Sequence, residues 1–260
     1  MSTNTKNSSE QSGRIYNKSS FLDNLAKKLG RERQLTPVAK PAFRSNCHQD
    51  VMADFSQDQL KDVLVEYTQS TLGANAIVTT QADLTATLKQ ECLNYCQNDD
   101  ALTSKPETDK YDISISADTR LLGLIEVEEL QDSMMMPIVW DQSLGYQGNI
   151  EVAERAKVGI VFAEQALAES GTMVLYSQAA QGRAISLLPE ASIFVVPKSA
   201  LVPRITQATE RLHHQAQRGE RVPSCVNFIS GPSSTADIEL IKVVGVHGPV
   251  YATYVIIDDL

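Results

Sequence analysis

The run Lys157-Val158-Gly159-Ile160-Val161-Phe162-Ala163 constrains the fold more than any other stretch. Past its lysine it has no polar face, so it reads as a buried strand. Ala191-Ser192-Ile193-Phe194-Val195-Val196-Pro197 is a second such run, ended by a proline that cannot continue a ladder. Helical periods alternate with runs of this kind. Ser56 and Gln59 form a capping box ahead of Leu60, Val63, Leu64 and Tyr67, and Gly73 closes that helix. Ala74 to Thr79 is a short apolar strand. Thr80 and Asp83 open another helix, through Leu84, Leu88 and Cys92. Helix and strand in alternation are the grammar of an α/β domain.

The remaining segments fit around that frame. Met1 to about Gly13 is polar and reads as a disordered tail. Phe21, Leu22, Leu25 and Leu29 set one stripe of a helix over Asn17–Leu29. Arg31 to Ala53, with Pro37 and Pro41, reads as an arm, so 14–53 is a helix-and-arm extension. It suits packing on its own domain or on another subunit, which leaves a homo-oligomer open. Residues 54–260 form one α/β domain. Asn98 to Lys110 is a surface loop, and Tyr111 to Ser116 alternates weakly, like an edge strand. Leu121 to Leu130 is ambiguous. Met134 to Trp140 is an apolar run that fits core filling or a mobile lid. A short helix is expected over Val152–Ala156, and a hairpin brings Met173–Tyr176 back after the Ser170-Gly171-Thr172 turn. A helix over Ser199–Gln217, with Val202, Ile205, Ala208 and Leu212 as its buried stripe, precedes a last strand over Val250–Ile257.

Charge narrows the function. Lys+Arg 23 against Asp+Glu 32 leaves −9, which argues against a general nucleic-acid binder. No run approaches the roughly 18 apolar residues of a membrane span, and the polar N-terminus lacks a signal-peptide core. The sparse cysteines, Cys47, Cys92, Cys96 and Cys225, fit a reducing cytoplasm. Cys92 and Cys96 share a helix face but have no second pair at metal spacing, so no metal site is expected.

Polar groups concentrate beside strand signal at Val226 to Glu239 and at Gly245-Val246-His247-Gly248-Pro249. Gly231 at a strand end lets backbone N–H groups approach a ligand, and Ser233, Ser234 and Thr235 add hydroxyls ahead of Asp237. Such a nest suits a phosphate, a carboxylate or an oxyanion. The spacing of Ser234 and Asp237 equally allows the start of a helical turn. The Gly-Lys-Thr ending of a P-loop, a Gly-x-Gly-x-x-Gly after a strand and a Gly-x-Ser-x-Gly elbow are all absent. His247 between glycines suits an accessible acid or base. Glu169 beside the Ser170-Gly171-Thr172 turn suits a nucleophile or base, and Arg183 suits a carboxylate clamp. These groups are expected to face one another across one small-molecule site.

Ala168-Glu169-Ser170-Gly171-Thr172, Arg183, Leu187-Leu188-Pro189, Ser230 through Glu239 and Gly245 through Pro249 occur in this order. As a set they resemble the lactate-utilisation (LUD) domain family in its stand-alone form, strongly over Lys157–Leu260 and in layout before it. The resemblance implies a fold like the NagB/RpiA/CoA-transferase group, an α/β sheet flanked by helices. It implies a cytoplasmic role in oxidising L-lactate to pyruvate, binding a small anion beside two iron–sulfur partner proteins. The clusters then sit in the partners and none in this chain. Two positions depart from the family pattern. Ser234 stands where a basic residue is frequent, and Ser170 replaces a threonine. The family supplies no settled catalytic residue, so Glu169 and His247 remain candidates. A stand-alone enzyme of CoA-transferase or folate-cyclo-ligase type, using Glu169, is the alternative.

Overall fold

The computed structural model describes residues 16–33, 35, 39, 41–97, 110–236 and 241–260. The chain divides into two compact units, residues 1–45 and 46–260. The first contains α1 (Lys18–Lys28), where the apolar stripe predicts a helix. The tail expected over residues 1–13 lies outside the described residues.

The second unit opens with α2 (Cys47–Asp50) and α3 (Gln57–Tyr67), then β1 (Asn75–Thr79), α4 (Leu84–Cys96), β2 (Tyr111–Ile115) and α5 (Thr119–Leu122). Next come β3 (Met135–Val139), α6 (Gly145–Arg155), β4 (Val158–Phe162), β5 (Gln165–Leu167), β6 (Thr172–Tyr176) and α7 (Ala184–Leu187). The chain ends with β7 (Ala191–Pro197), β8 (Leu201–Val202), α8 (Ile205–Gln217), β9 (Val226–Ser230), β10 (Ser234–Ala236), β11 (Lys242–Val244) and β12 (Tyr251–Ile257). The Ser56–Gln59 capping box forms as expected, with Ser56 N donating to Gln59 Oε1 at 2.8 Å and Gln59 N to Ser56 Oγ at 3.2 Å.

Six strands form a parallel sheet in the order β1-β12-β7-β4-β2-β3. The unbroken apolar runs follow from that placement, because a central parallel strand is buried on both faces. Ile193, Val195, Val255 and Ile257 point to the side covered by Leu84, Leu88 and Cys92 of α4. Phe194, Val196, Tyr254 and Ile256 point to the other side, against Leu60 and Leu64 of α3 and Met173 and Leu175 of β6. A second sheet, ordered β8-β5-β6-β9, contains the expected β5–β6 hairpin. The mixed α/β class is as the sequence indicates.

Several boundaries differ, each for a stated reason. Tyr111–Ile115 is not an edge strand: it pairs with β4 on one side and with β3 on the other. The methionine run forms β3 and takes the edge, burying Met135 and exposing Met136. The helix expected from Ser199 starts at Ile205, because Leu201 and Val202 pair with Ala166 and Leu167 as β8. Val202 and Ile205 therefore drop out of its inner stripe, and Ala208 is the residue it buries. The helix expected over Val152–Ala156 begins earlier, at Gly145. Leu121–Leu130 resolves into α5 and a 3₁₀ turn. The second unit starts at Asn46 because α2 is tied to α8. Gln49 Nε2 donates to Glu210 Oε1 at 3.0 Å, and Arg204 Nη1 donates to Cys47 O at 3.1 Å.

Two close contacts tie neighbouring elements together at the sheet. Lys157 Nζ meets Glu190 Oε1 at 2.7 Å where β4 and β7 begin, and both side chains are buried. At Gly159 in β4, an ideal Cβ would stand 1.9 Å from the carbonyl oxygen of Ile185, so α7 lies directly on that glycine. Cys92 and Cys96 sit inside the core on α4. Burial pushes the Cys92 thiol well up and the Cys96 thiol to about 11, so both are thiols at neutral pH. No described helix is long and apolar enough to cross a membrane.

Candidate functional site

The turn at Gly171 and the strand end at Gly231 meet, because β6 and β9 pair with Thr172 opposite Ser230. Their hydroxyls form a chain, with Ser170 Oγ 2.7 Å from Thr172 Oγ1 and Thr172 Oγ1 2.6 Å from Ser230 Oγ. Tyr254, fully buried on β12, fixes both glycines. Its hydroxyl accepts from Gly231 N at 2.7 Å and donates to Gly171 O at 2.8 Å. Burial pushes the Tyr254 phenol up to about 12, so it stays a donor across the physiological range. Gly171 and Gly231 have φ of 56° and 67°, and a Cβ on either would press on Leu72. Packing and conformation therefore already require glycine at both positions. Tyr254→Phe should cost about 1–3 kcal/mol, since it strands the Gly231 N–H and the Gly171 carbonyl. A lower thermal unfolding midpoint with an unchanged fold by circular dichroism would show it.

The Ser230-to-Ser233 loop does line a cavity, of about 260 Å³, with Ser192, Phe194, Phe228, His247 and Gly248. Its amides are largely spent within the protein. Gly231 N goes to Tyr254, Ser233 N to Pro249 O at 2.9 Å, and Gly245 N to Ser233 O at 2.9 Å. His247 is exposed and, among the described residues, is the one basic side chain lining this cavity. Ser234 and Thr235 lie on β10, which forms a hairpin with β11 rather than opening a helix, and both are exposed. Asp237 lies outside the described residues.

Neither Glu169 nor Arg183 lines that cavity. Glu169 is ion-paired to Arg204, the residue that precedes α8. Arg183 instead lines a larger cavity of about 630 Å³, with Trp140, Tyr146, Asn149, Ser177, Gln178, Gly182 and Leu188 among its walls. Among the described residues no acidic side chain contributes to this lining, and Arg183 is the one charged side chain in it. Among the described residues the Arg183 guanidinium has no hydrogen bond or ion pair. Arg120, by contrast, is fully engaged. Arg120 bridges Asp118 at 2.6 Å and Glu164 at 2.5 Å and lies over the Phe162 ring. That pairing holds the Asp118 carboxyl below its usual range against the opposing effect of burial.

The cavity walls are fixed to the carboxyl ends of β2 and β4, where open α/β sheets place their ligands. Trp140 N donates to Ile115 O at 2.8 Å, and Ala117 N to Ala180 O at 3.0 Å. Gln181 clamps Phe162, with its Oε1 accepting from Phe162 N and its Nε2 donating to Phe162 O, each at 3.1 Å. The sequence marks Arg183 but misses Trp140 and Tyr146, because only tertiary contacts bring those two elements to it. The solitary tryptophan at the end of an apolar run is the signal that was available.

Comparison with known proteins places this architecture. The LUD domain profile matches residues 65–257. YkgG of Escherichia coli K12 is 44% identical over 94% of this chain and 99% of that protein. Lactate utilization protein C of Geobacillus thermodenitrificans is 42% identical over 95% of this chain and 98% of its own, and its Geobacillus kaustophilus counterpart is 40% identical. A crystal structure of a DUF162 family protein from Deinococcus radiodurans superimposes with a TM-score of 0.53 at 18% identity. It covers 78% of this chain and 99% of that one, a likeness of fold. On the profile match and these near-full-length identities, the chain belongs to the LUD domain family.

Proposed function

We propose that this chain serves lactate utilisation as a subunit that binds a small anionic ligand at Arg183, while iron–sulfur partner proteins carry the electrons. The observation behind the first part is the 42% identity, over nearly the whole of both chains, to a Lactate utilization protein C. Among the described residues Arg183 has no side-chain partner and no acid lines its cavity, which supports the anion, since a guanidinium is a strong carboxylate partner. Glu169, the candidate for an acyl-transfer or cyclo-ligase reaction, is paired to Arg204 and lines neither cavity, which favours the binding reading.

A strain lacking the gene should stop growing on L-lactate as sole carbon source and grow normally on pyruvate. Supplying the wild-type gene should restore growth on lactate, and Arg183→Gln should not. Unimpaired growth of the deletion strain on L-lactate would reject the role in lactate utilisation. Full rescue by Arg183→Gln would reject the site.

A further inference from the structure

The Arg183 cavity is far larger than a three-carbon hydroxy acid requires. Its volume of about 630 Å³ lies within the roughly 300–1,000 Å³ of pockets that enclose cofactor- or drug-sized molecules. Its chemistry is also uneven. Trp140, Tyr146, Ile150, Leu187 and Leu188 make it largely apolar, and among the described residues Arg183 brings the one positive charge.

Trp140 is held as a wall, not as a loose core residue. Its indole Nε1 donates to Ala179 O at 3.0 Å. Its six-membered ring lies against Gly182, where an ideal Cβ would stand 2.3 Å from Trp140 Cη2. Any side chain at position 182 would push the indole away, so the glycine is what lets the ring sit there. Tyr146 contributes a second aromatic group and is 83% exposed. A tyrosine left in water beside a cavity is an apolar surface that no described residue covers. Ser177 lines the cavity too, and its buried hydroxyl has no hydrogen-bond partner among the described residues.

We infer that this cavity binds a flat aromatic or heteroaromatic ring carrying one anionic group, with the ring against Trp140 and Tyr146 and the anion on Arg183. The inference rests on the Arg183 site proposed above and names its ligand class. In that reading the ligand is a larger ring compound, not lactate itself. The apolar walls and the lone guanidinium are complementary to the two halves of such a molecule.

Trp140 is the only tryptophan of the chain, so its indole N–H gives one resonance in a ¹⁵N-correlated spectrum of the full-length protein. That signal should shift saturably with 1-naphthoate, a ring with an anion. Cyclohexanecarboxylate, with the charge but no aromatic ring, should bind at least tenfold more weakly. Arg183→Gln should weaken naphthoate at least tenfold and leave the uncharged 1-naphthalenemethanol unchanged, whereas Tyr146→Ala should weaken both aromatic probes. Both substituted residues are exposed, so unchanged thermal midpoints are expected and exclude misfolding. No saturable shift with naphthoate, or equal binding of naphthoate and cyclohexanecarboxylate, would overturn the inference. If L-lactate shifted the indole and naphthoate did not, the ring would be rejected while the small-anion site stood. The growth phenotype on lactate is scored separately from all of these outcomes.

Discussion

Replacing Glu190 with alanine is expected to destabilise the protein by about 3–5 kcal/mol, because it leaves the Lys157 ammonium buried without its carboxylate. The pair sits where two central strands begin, and both side chains are almost wholly withdrawn from solvent. For a chain of this size that loss lowers the unfolding midpoint by roughly 10 °C. Removing the charge and its counter-charge together is a different experiment. Lys157→Met with Glu190→Leu should recover most of the loss, since two apolar groups of similar volume need no compensation. Thermal unfolding of the wild type, the single variant and the double variant measures both effects. A single variant as stable as the wild type would mean that the pair contributes nothing.

Gly159→Ala should be nearly as damaging, by another route. One methyl group at this position meets the backbone oxygen of Ile185, which cannot rotate away as a side chain can. Either α7 lifts or β4 distorts, at a cost of at least about 3 kcal/mol. Because Ala184 and Leu187 of α7 line the Arg183 cavity, surviving folded protein should also lose ligand affinity. Urea unfolding gives the first quantity, and titration with 1-naphthoate gives the second.

Much of the architecture was legible in the sequence because unbroken apolar runs, capping residues and a hairpin turn are local signals. Lys157–Ala163 and Ala191–Pro197 declared central strands through composition alone, and Ser56 with Gln59 declared a helix start. Non-local pairing was not legible. Tyr111–Ile115 alternates like an edge strand, and only the arrival of Met135–Val139 beside it makes it an interior one. Leu201 and Val202 carry a helical spacing that their ladder with β5 overrides.

The site followed the same division. The Gly171 and Gly231 motifs do come together, and a hydroxyl from a third strand joins them, which no spacing in the chain announces. Those glycines read as ligand-approach positions, but their conformation and the proximity of Leu72 already account for them. Arg183 was found as a residue type and placed in the wrong company, because which groups share a cavity with it depends on strand order. Trp140 and Tyr146 come from a segment with no polar motif to draw attention to it.

The clamp of Gln181 on Phe162, together with the backbone bonds from Trp140 to Ile115 and from Ala117 to Ala180, ties the walls of the Arg183 cavity to the sheet. Such a cavity is a rigid mould. Little conformational freedom remains for a ligand to freeze, so the entropy of ordering the site was already spent when the sheet folded. Its selectivity then comes in large part from the shape of these tied walls.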